Sequence, residues 1–143
     1  MELKELYREV VNDHNLNPLH KLELSNPDCV LRGVNPSCGD DINLMIKMKN
    51  NVITDGSYTG CGCAISQASV DMMLDNVIGL SAEEALSRIE LFMEMIDGKI
   101  SDEKELEVLD EAVYLKDVAH MPARVKCAVL GWRTLKQLLE QQT

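Results

Sequence analysis

The sequence predicts an α+β fold, in which a small three-stranded antiparallel sheet packs against several helices in one domain spanning residues 1–143. Two observations carry this prediction. Between residues 42 and 58, two β-prone runs are separated by Asn50-Asn51, and the first alternates apolar and polar residues, which is typical of an antiparallel hairpin. After the hairpin, apolar residues recur at the spacing of helices that bury one face. We find no internal repeat or low-complexity linker, so no domain boundary is expected.

The first half of the chain is predicted to supply one helix and the sheet. Apolar residues at helical spacing predict a helix over residues 3–11, and the Asn, Pro, Ser and Gly residues between positions 14 and 41 predict mostly loop. The hairpin strands are expected at residues 42–49 and 52–58. Because two strands alone are marginally stable, a third is needed, and residues 29–33 are the candidate.

The second half of the chain is predicted to be helical. One helix is expected between the cysteine-containing turn at residues 60–63 and Gly79, and another should end at Gly98. Ser81 followed three residues later by Glu84 is a capping-box pattern, which predicts where the second of these helices begins. Two further helical segments are predicted, over residues 105–114 and from Pro122 onward.

Composition indicates a globular protein whose cysteines are not needed as disulfides. A chain of 143 residues can bury a core without such staples, so its five cysteines are free for metal binding or catalysis. The charged amino terminus does not look like an export signal, and no window reaches the roughly 18 apolar residues of a membrane span, so we expect a cytoplasmic protein with no membrane partner. The net charge of −10 disfavours nucleic acid as a partner.

The reactive residues all lie at predicted element ends: Cys38 and Asp40 before the hairpin, Cys61 and Cys63 after it, and Cys127 in the first turn of the last helix. The two ends of a hairpin are neighbours in space, and a helix that begins beside them would bring Cys127 close to the others. A zinc ion takes four ligands in a tetrahedron, and three thiolates with one carboxylate complete such a set. The amino ends of helices at Cys63 and Cys127 would also lower the thiol pKa values.

Core packing is the competing interpretation of the cysteines. Free cysteines are among the most buried residues, and the apolar neighbours of Cys29 and Cys127 suit small core side chains. The Cys-x-Cys spacing of Cys61 and Cys63 is a weaker zinc signal than paired Cys-x-x-Cys motifs. The three histidines have no regular ligand spacing to the cysteines and are expected to be surface or capping residues. No glycine-rich phosphate loop occurs, so nucleotide chemistry is not indicated.

Three segments resemble the U-type iron–sulfur cluster assembly proteins, the IscU/SufU family, and the resemblance covers nearly the whole chain. These segments are residues 35–40 (Asn-Pro-Ser-Cys-Gly-Asp), residues 60–66 (Gly-Cys-Gly-Cys-Ala-Ile-Ser) and residues 121–127 (Met-Pro-Ala-Arg-Val-Lys-Cys). The match looks closer to the SufU type for two reasons. Lys126 stands where IscU-type scaffolds have histidine, and the stretch between Cys63 and Cys127 is longer than theirs.

The resemblance implies an α+β fold and a zinc ion held by residues matching Cys38, Asp40, Cys63 and Cys127, with a persulfide accepted on Cys38. The implied activity is zinc-dependent sulfur transfer in iron–sulfur cluster assembly. The sulfur donor would be a PLP-dependent cysteine desulfurase of the SufS type, and the sulfur would pass to the downstream assembly machinery. Arg124 stands beside the site, either to steady thiolate charge or contact the partner, or as an ordinary surface residue.

Cys61 departs from the SufU pattern, because SufU proteins usually have another residue there, whereas the second cysteine of IscU proteins lies in a similar Gly-Cys-Gly setting. Three roles stay open for it: an alternative ligand, a relay thiol for sulfur, or an exposed residue without a role. The alternative function is a scaffold, not an enzyme, on which a [2Fe–2S] cluster is assembled and passed on. Cys61 favours this alternative and Lys126 opposes it. A third hypothesis is an interaction module in which zinc only holds loops together.

Sulfur transfer from a four-ligand zinc site requires one ligand to leave. Our hypothesis is that the desulfurase docks over the site and supplies a replacement ligand, so that Cys38 is released as a thiolate. Cys38 is the candidate because a Pro/Gly loop moves more readily than the helix that carries Cys127.

Overall fold

The sheet has three antiparallel strands in the order β1-β2-β3, which confirms the predicted α+β class. A computed structural model describes residues 3–141, so the outermost residues of the predicted 1–143 domain lie outside the described part. The strands are β1 (Cys29–Asn35), β2 (Asp40–Lys49) and β3 (Val52–Cys61). The strand predicted over residues 29–33 is therefore present, and it is two residues longer than expected.

The connection between β1 and β2 is much tighter than the predicted loop. Asn35 pairs with Asp40, so only residues 36–39 separate the two strands. Gly39 has a φ of +71°, in the left-handed region that glycine adopts without a steric cost, and it sits directly after Cys38. The tight turn therefore fixes where the Cys38 backbone lies relative to both strands.

Helix α1 spans Leu3–Leu16, so the predicted helix end at residue 11 is wrong. Two polar side chains of the last turn explain the extension. The Asn15 amide donates to the carbonyl of Val11, one turn back, and to the carbonyl of Ala64. His14 is buried, with Nδ1 2.6 Å from Asp71 Oδ2 and Nε2 3.1 Å from Glu111 Oε1.

His14 also contradicts the expectation that every histidine would be a surface or capping residue. The residue is 4% exposed, and its ring is paired with the fully buried carboxylate of Asp71. The hydrogen bond to Asp71 raises the pKa of His14 to about 9, helped by Glu111 and opposed by burial. No local pattern indicates this pairing, because the two residues are 57 positions apart.

The remaining helical elements are α2 (Ala64–Val77), α3 (Ala82–Ile96), α4 (Glu103–Leu106), a 3₁₀ segment (Glu107–His120) and α5 (Pro122–Gln141). The predicted capping box is confirmed, since the Ser81 hydroxyl accepts from the Glu84 backbone and the Glu84 side chain accepts from the Ser81 backbone. Gly98 has a φ of +76° just beyond α3, as expected of a glycine that ends a helix. No helix within residues 3–141 is long and apolar enough to cross a membrane.

The helix predicted over residues 105–114 is instead a short α-helix that continues as the 3₁₀ segment. Asp110 interrupts it with a φ of 54° and a ψ of −131°, far from helical values. The Asn76 amide donates to the Asp110 side chain and to the Val108 carbonyl, and so holds this kink from helix α2. A local helical pattern is thus overridden by a tertiary contact.

Helices α2 and α5 form the layer that carries the site. Helix α5 packs on β1 so closely that a Cβ added at Gly33 would overlap Thr134 Oγ1. At the centre of the core, the rings of Phe92 and Trp132 stack with centroids 4.0 Å apart. At one end of the sheet, the turn between β1 and β2 lies beside the start of α2 and the start of α5.

Candidate metal centre

Cys38 occupies the tight turn between β1 and β2 and is exposed. Its Sγ lies 3.2 Å from Sγ of Cys127, 89 residues later in the chain. The partner thiol is fully buried, so one thiol of the pair faces solvent and the other faces the core. The predicted proximity of Cys38 and Cys127 is present in the fold.

Asp40 is the first residue of β2, and its side chain is fully buried. Oδ1 accepts from the backbone N–H of Cys63 at 2.9 Å and from the Ser66 hydroxyl at 3.1 Å. Oδ2 accepts a longer bond of 3.4 Å from the amide of Asn35. A buried carboxylate is stable only when hydrogen-bond donors surround it. Because Oδ1 accepts two hydrogen bonds and Oδ2 only one long one, Oδ2 is the oxygen more available to a metal ion.

Cys63 is the N-cap residue of α2, so it stands at the amino end of a helix as the sequence predicted. Its Sγ accepts from the backbone N–H of Ser66 at 3.4 Å, in place of the oxygen that most N-caps use. Because the Cys63 backbone N–H is bonded to Asp40, the first turn of α2 is held against the start of β2.

Cys127 lies in the second turn of α5, because the helix begins five residues earlier at Pro122. The predicted lowering of its thiol pKa by a helix amino terminus is wrong. Burial raises the pKa of the Cys127 thiol, and its hydrogen bonds with the Cys38 and Cys63 thiols raise it further. The amino-terminal field of a helix fades within the first turn, whereas desolvation acts on the fully buried sulfur.

The donor set fits a zinc ion. The ligand atoms of Cys38, Asp40 and Cys127 all lie within 4.8 Å of one another, close enough to converge on one ion at about 2.0–2.3 Å. The Cys63 thiol is not part of that 4.8 Å group, although it acts on the Cys127 thiol. A tetrahedral site that uses all four would require the Cys63 sulfur to lie within the same distance of the other ligand atoms.

Cys61 is the last residue of β3 and is exposed, so it belongs to a strand and not to the predicted turn. It lies opposite Asp41, whose carboxylate is held on the surface by Arg32. Within residues 3–141, the thiol-containing metal-ligand group does not include Cys61. By contrast Cys29 is 8% exposed and packs in the core, as the packing interpretation expected.

Arg124 is exposed in the first turn of α5, near a cavity of about 450 Å³. The residues that line this cavity are Tyr7, Arg8, Asp117, His120 and Met121. Burial raises the pKa of the Tyr7 phenol, the Arg124 guanidinium lowers it, and Cys63 raises it. The cavity therefore lies within electrostatic range of both Arg124 and the Cys63 thiol.

Two residues at the site had no role assigned from the sequence, although both lie in the segments that resemble the family. Asn35 reaches both Asp40 and, at 3.9 Å, the Cys127 sulfur, and Ser66 donates to Asp40. Ser66 stands three positions after the N-cap Cys63, where a polar residue commonly bonds to the cap, and that spacing is a usable signal. Nothing local marks the role of Asn35, since it depends on the pairing of β1 with β2.

Replacing Gly62 with alanine is expected to weaken metal binding without removing a ligand. A Cβ at this position would lie 2.6 Å from Ser66 Oγ and 2.7 Å from Asp40 Oδ1, so the carboxylate must move. Overpacking of this kind costs about 1–3 kcal/mol of stability. Zinc content after dialysis against a chelator measures the effect on the site. Gly98→Ala is the control, because its φ of +76° is strained but its Cβ meets nothing within 4 Å. Equal zinc retention in the two variants would contradict this prediction.

Comparisons with known protein families, sequences and structures all indicate the same protein family. The sequence profile of the NifU-like N terminal domain matches residues 6–141. The chain is 42% identical over 141 residues to the iron–sulfur cluster assembly scaffold protein IscU of Streptococcus pyogenes serotype M1, covering 98% of this chain and 86% of that protein. It is 39% identical over 135 residues to the zinc-dependent sulfurtransferase SufU of Bacillus subtilis, covering 94% and 90%.

A solved structure has the same architecture. It is the structure of FiSufU from Fervidobacterium islandicum AW-1, which has been assigned as an iron–sulfur cluster assembly scaffold for the SUF system. It superposes with a TM-score of 0.87 at 35% identity and covers 94% of this chain and 97% of that one. Similarity thus extends over the sheet and the helices that position the site.

Proposed function

The chain belongs to the NifU-like N-terminal domain family, in the group of IscU and SufU proteins, and from that premise we propose that it acts in iron–sulfur cluster assembly as a zinc-dependent sulfurtransferase. The sulfur donor is a PLP-dependent cysteine desulfurase of the SufS type in the cytoplasm, and the recipient is the downstream assembly machinery. One observation carries the proposal: an exposed thiol, Cys38, lies 3.2 Å from a fully buried thiol, Cys127, beside a buried carboxylate.

The residues that would hold zinc are Cys38, Asp40 and Cys127, whose ligand atoms lie within 4.8 Å of one another, and Cys63, whose backbone N–H donates to Asp40. When bound, zinc keeps its thiol ligands deprotonated near neutral pH, which matters most for Cys127, whose thiol pKa is raised by burial. Asp40 contributes a hard oxygen among soft sulfurs and is anchored by three donors, so it stays in place when a thiol moves.

Cys38 is the nucleophile in this proposal because it is the exposed member of the group and sits in a four-residue turn. Docking of the desulfurase frees its sulfur from the contact with Cys127. The Cys38 thiolate then attacks the outer sulfur of the desulfurase persulfide. The sulfur–sulfur bond of the donor breaks, the donor cysteine leaves as a thiolate, and a persulfide forms on Cys38 with no net oxidation or reduction.

The test compares Cys38→Ala with Cys61→Ala in zinc-loaded protein purified without oxygen. Both thiols are exposed, so neither change removes core packing, and Cys61 is a matched control at the same end of the sheet. We expect the natural chain and Cys61→Ala to stimulate cysteine turnover by the desulfurase and to gain the mass of one sulfur atom. Cys38→Ala should do neither. Full stimulation by Cys38→Ala would overturn the proposal.

Scaffold function is the second candidate, favoured by the 42% identity to a protein named as a scaffold and by Cys61 two positions from Cys63. In that case the same thiols would receive iron and sulfide as cargo and carry a [2Fe–2S] cluster. The metal content and colour of protein purified without oxygen distinguish the two functions. About one zinc per chain in colourless protein supports sulfur transfer, and iron, sulfide and visible absorbance support the scaffold.

A further inference from the structure

A second group of metal-ligating side chains lies at the far end of helix α2, away from the thiols. The ligand atoms of His14, Asp75 and Glu111 are all within 4.8 Å of one another. They come from three separate elements, α1, α2 and the 3₁₀ segment. Twelve residues of helix separate Asp75 from Cys63, a rise of about 18 Å, so this group cannot share an ion with the thiols.

His14 is oriented as a metal-binding histidine is. Its Nδ1–H donates to Asp71 Oδ2 at 2.6 Å, and Asp71 is fully buried. Asp71 is itself fixed, since it accepts from the backbone N–H groups of Leu19 and His20. A carboxylate behind a histidine fixes the ring and its tautomer and makes the other nitrogen a better ligand. This arrangement leaves Nε2 of the buried His14 3.1 Å from Glu111 Oε1, and Asp75 offers an oxygen within the same 4.8 Å group.

The two carboxylates lie at the protein surface, where they can close on an ion. The side chains of Asp75 and Glu111 are 38% and 53% exposed, and Glu111 Oε1 is already 3.1 Å from His14 Nε2. His20 adds a second imidazole, with its Nε2 2.7 Å from Asp75 Oδ1. Three carboxylates thus surround two imidazoles, and the chain carries a net charge of −10, so the local field attracts cations.

We propose that His14, Asp75 and Glu111 form a second site for a divalent transition-metal ion, with Asp71 as the residue that orients His14 and His20 supporting Asp75. In the metal-free protein, the His14 Nε2–H group donates to Glu111 Oε1, and the metal ion replaces that proton when it binds. The donor set contains nitrogen and oxygen but no sulfur, which suits Fe²⁺, Co²⁺, Mn²⁺ or Zn²⁺ and not a soft ion such as Cu⁺. The site would therefore differ from the thiol group in the ions that it prefers.

The test adds Co²⁺ at pH 8 to protein whose thiol site is already filled with zinc. Thiolate ligands favour zinc, so the thiol site keeps its ion and the added Co²⁺ reports on vacant positions. We expect one further Co²⁺ per chain by equilibrium dialysis, without the intense thiolate-to-cobalt absorption that sulfur ligands produce. Paramagnetic broadening of the His14 ring signals in NMR spectra should accompany uptake.

Glu111→Gln and Asp75→Asn are expected to weaken Co²⁺ binding by about tenfold or more while the zinc content stays unchanged. Both residues are exposed, and each amide oxygen can still accept from its histidine, so both variants are expected to fold with His14 in place. Glu107→Gln is the matched control, an exposed glutamate of the same 3₁₀ segment outside the ligand group. The proposal is overturned if no further Co²⁺ binds, if Glu107→Gln and Glu111→Gln bind equally well, or if the bound cobalt shows thiolate absorption.

Discussion

Replacing Asp40 with alanine is expected to lower both the zinc content of the protein and its free energy of unfolding. The carboxylate is fully buried and accepts from the Cys63 backbone, the Ser66 hydroxyl and the Asn35 amide. Alanine leaves the Cys63 N–H without an acceptor, whereas the Ser66 hydroxyl keeps the Cys63 carbonyl and the Asn35 amide keeps its long contact with the Cys127 sulfur. An unsatisfied buried group costs about 1–3 kcal/mol. We expect a loss on the order of 1–3 kcal/mol in urea unfolding of the metal-free protein, because one donor loses its acceptor and the other two keep a second contact.

Asp40→Asn separates the two roles of this side chain. An asparagine oxygen can still accept from Cys63 and Ser66, so most of the stability should remain, but the neutral amide is a poor zinc ligand. Asp41→Asn is the control: the neighbouring carboxylate lies on the surface with Arg32, and its loss should change neither quantity appreciably. If Asp40→Asn retained zinc as well as Asp41→Asn does, Asp40 would not be a ligand.

Replacing Trp132 with alanine is expected to destabilise the protein more than Asp40→Ala does. The ring is fully buried, stacks on Phe92 at an interplanar angle of 8°, and donates from Nε1 to Ser69 Oγ at 2.9 Å. Truncation of a buried tryptophan costs about 3–5 kcal/mol through lost contacts and the cavity left behind. We expect the melting temperature to fall by on the order of 10 °C.

Trp132→Ala should also loosen the metal centre, because Trp132 joins α5 to α2 and α3. The Ser69 hydroxyl that accepts from Trp132 donates in turn to the carbonyl of Ala128, directly after Cys127. Trp132→Phe keeps the stacked ring and removes the donor, so it should cost only about 1–2 kcal/mol. The control is Arg133→Ala, which removes an exposed side chain at the next position of the same helix.

These variants need a probe that does not depend on the mutated residue. Trp132 is the single tryptophan of the chain, so unfolding must be followed by far-ultraviolet circular dichroism and not by fluorescence. A loss below about 1 kcal/mol for Trp132→Ala would mean that the neighbouring side chains collapse into the vacated space, contrary to the close packing of α5 against α2 and α3.

Local chemistry explains what could be predicted. The strand pattern of residues 42–49, the capping box at Ser81 and the proline at the start of α5 depend on residues only a few positions apart, and all three were predicted correctly. The fold class follows from the same local patterns. Predictions failed where a distant contact decided the outcome, as at the end of α1, which His14 extends, and in the 3₁₀ segment, which Asn76 bends.

Local sequence patterns are sufficient to place the reactive residues at element ends, and so to identify which thiols and which carboxylate are candidates for a common site. Their arrangement depends instead on long-range packing. The pairing of Asn35 with Asp40 turns that carboxylate inward and leaves Asp41 outside, because neighbouring residues on a strand face opposite sides. The packing of α5 buries Cys127 and raises its thiol pKa, although its position near a helix start predicted the reverse. Burial and long-range pairing depend on the whole packed core, and no short segment of sequence contains that information.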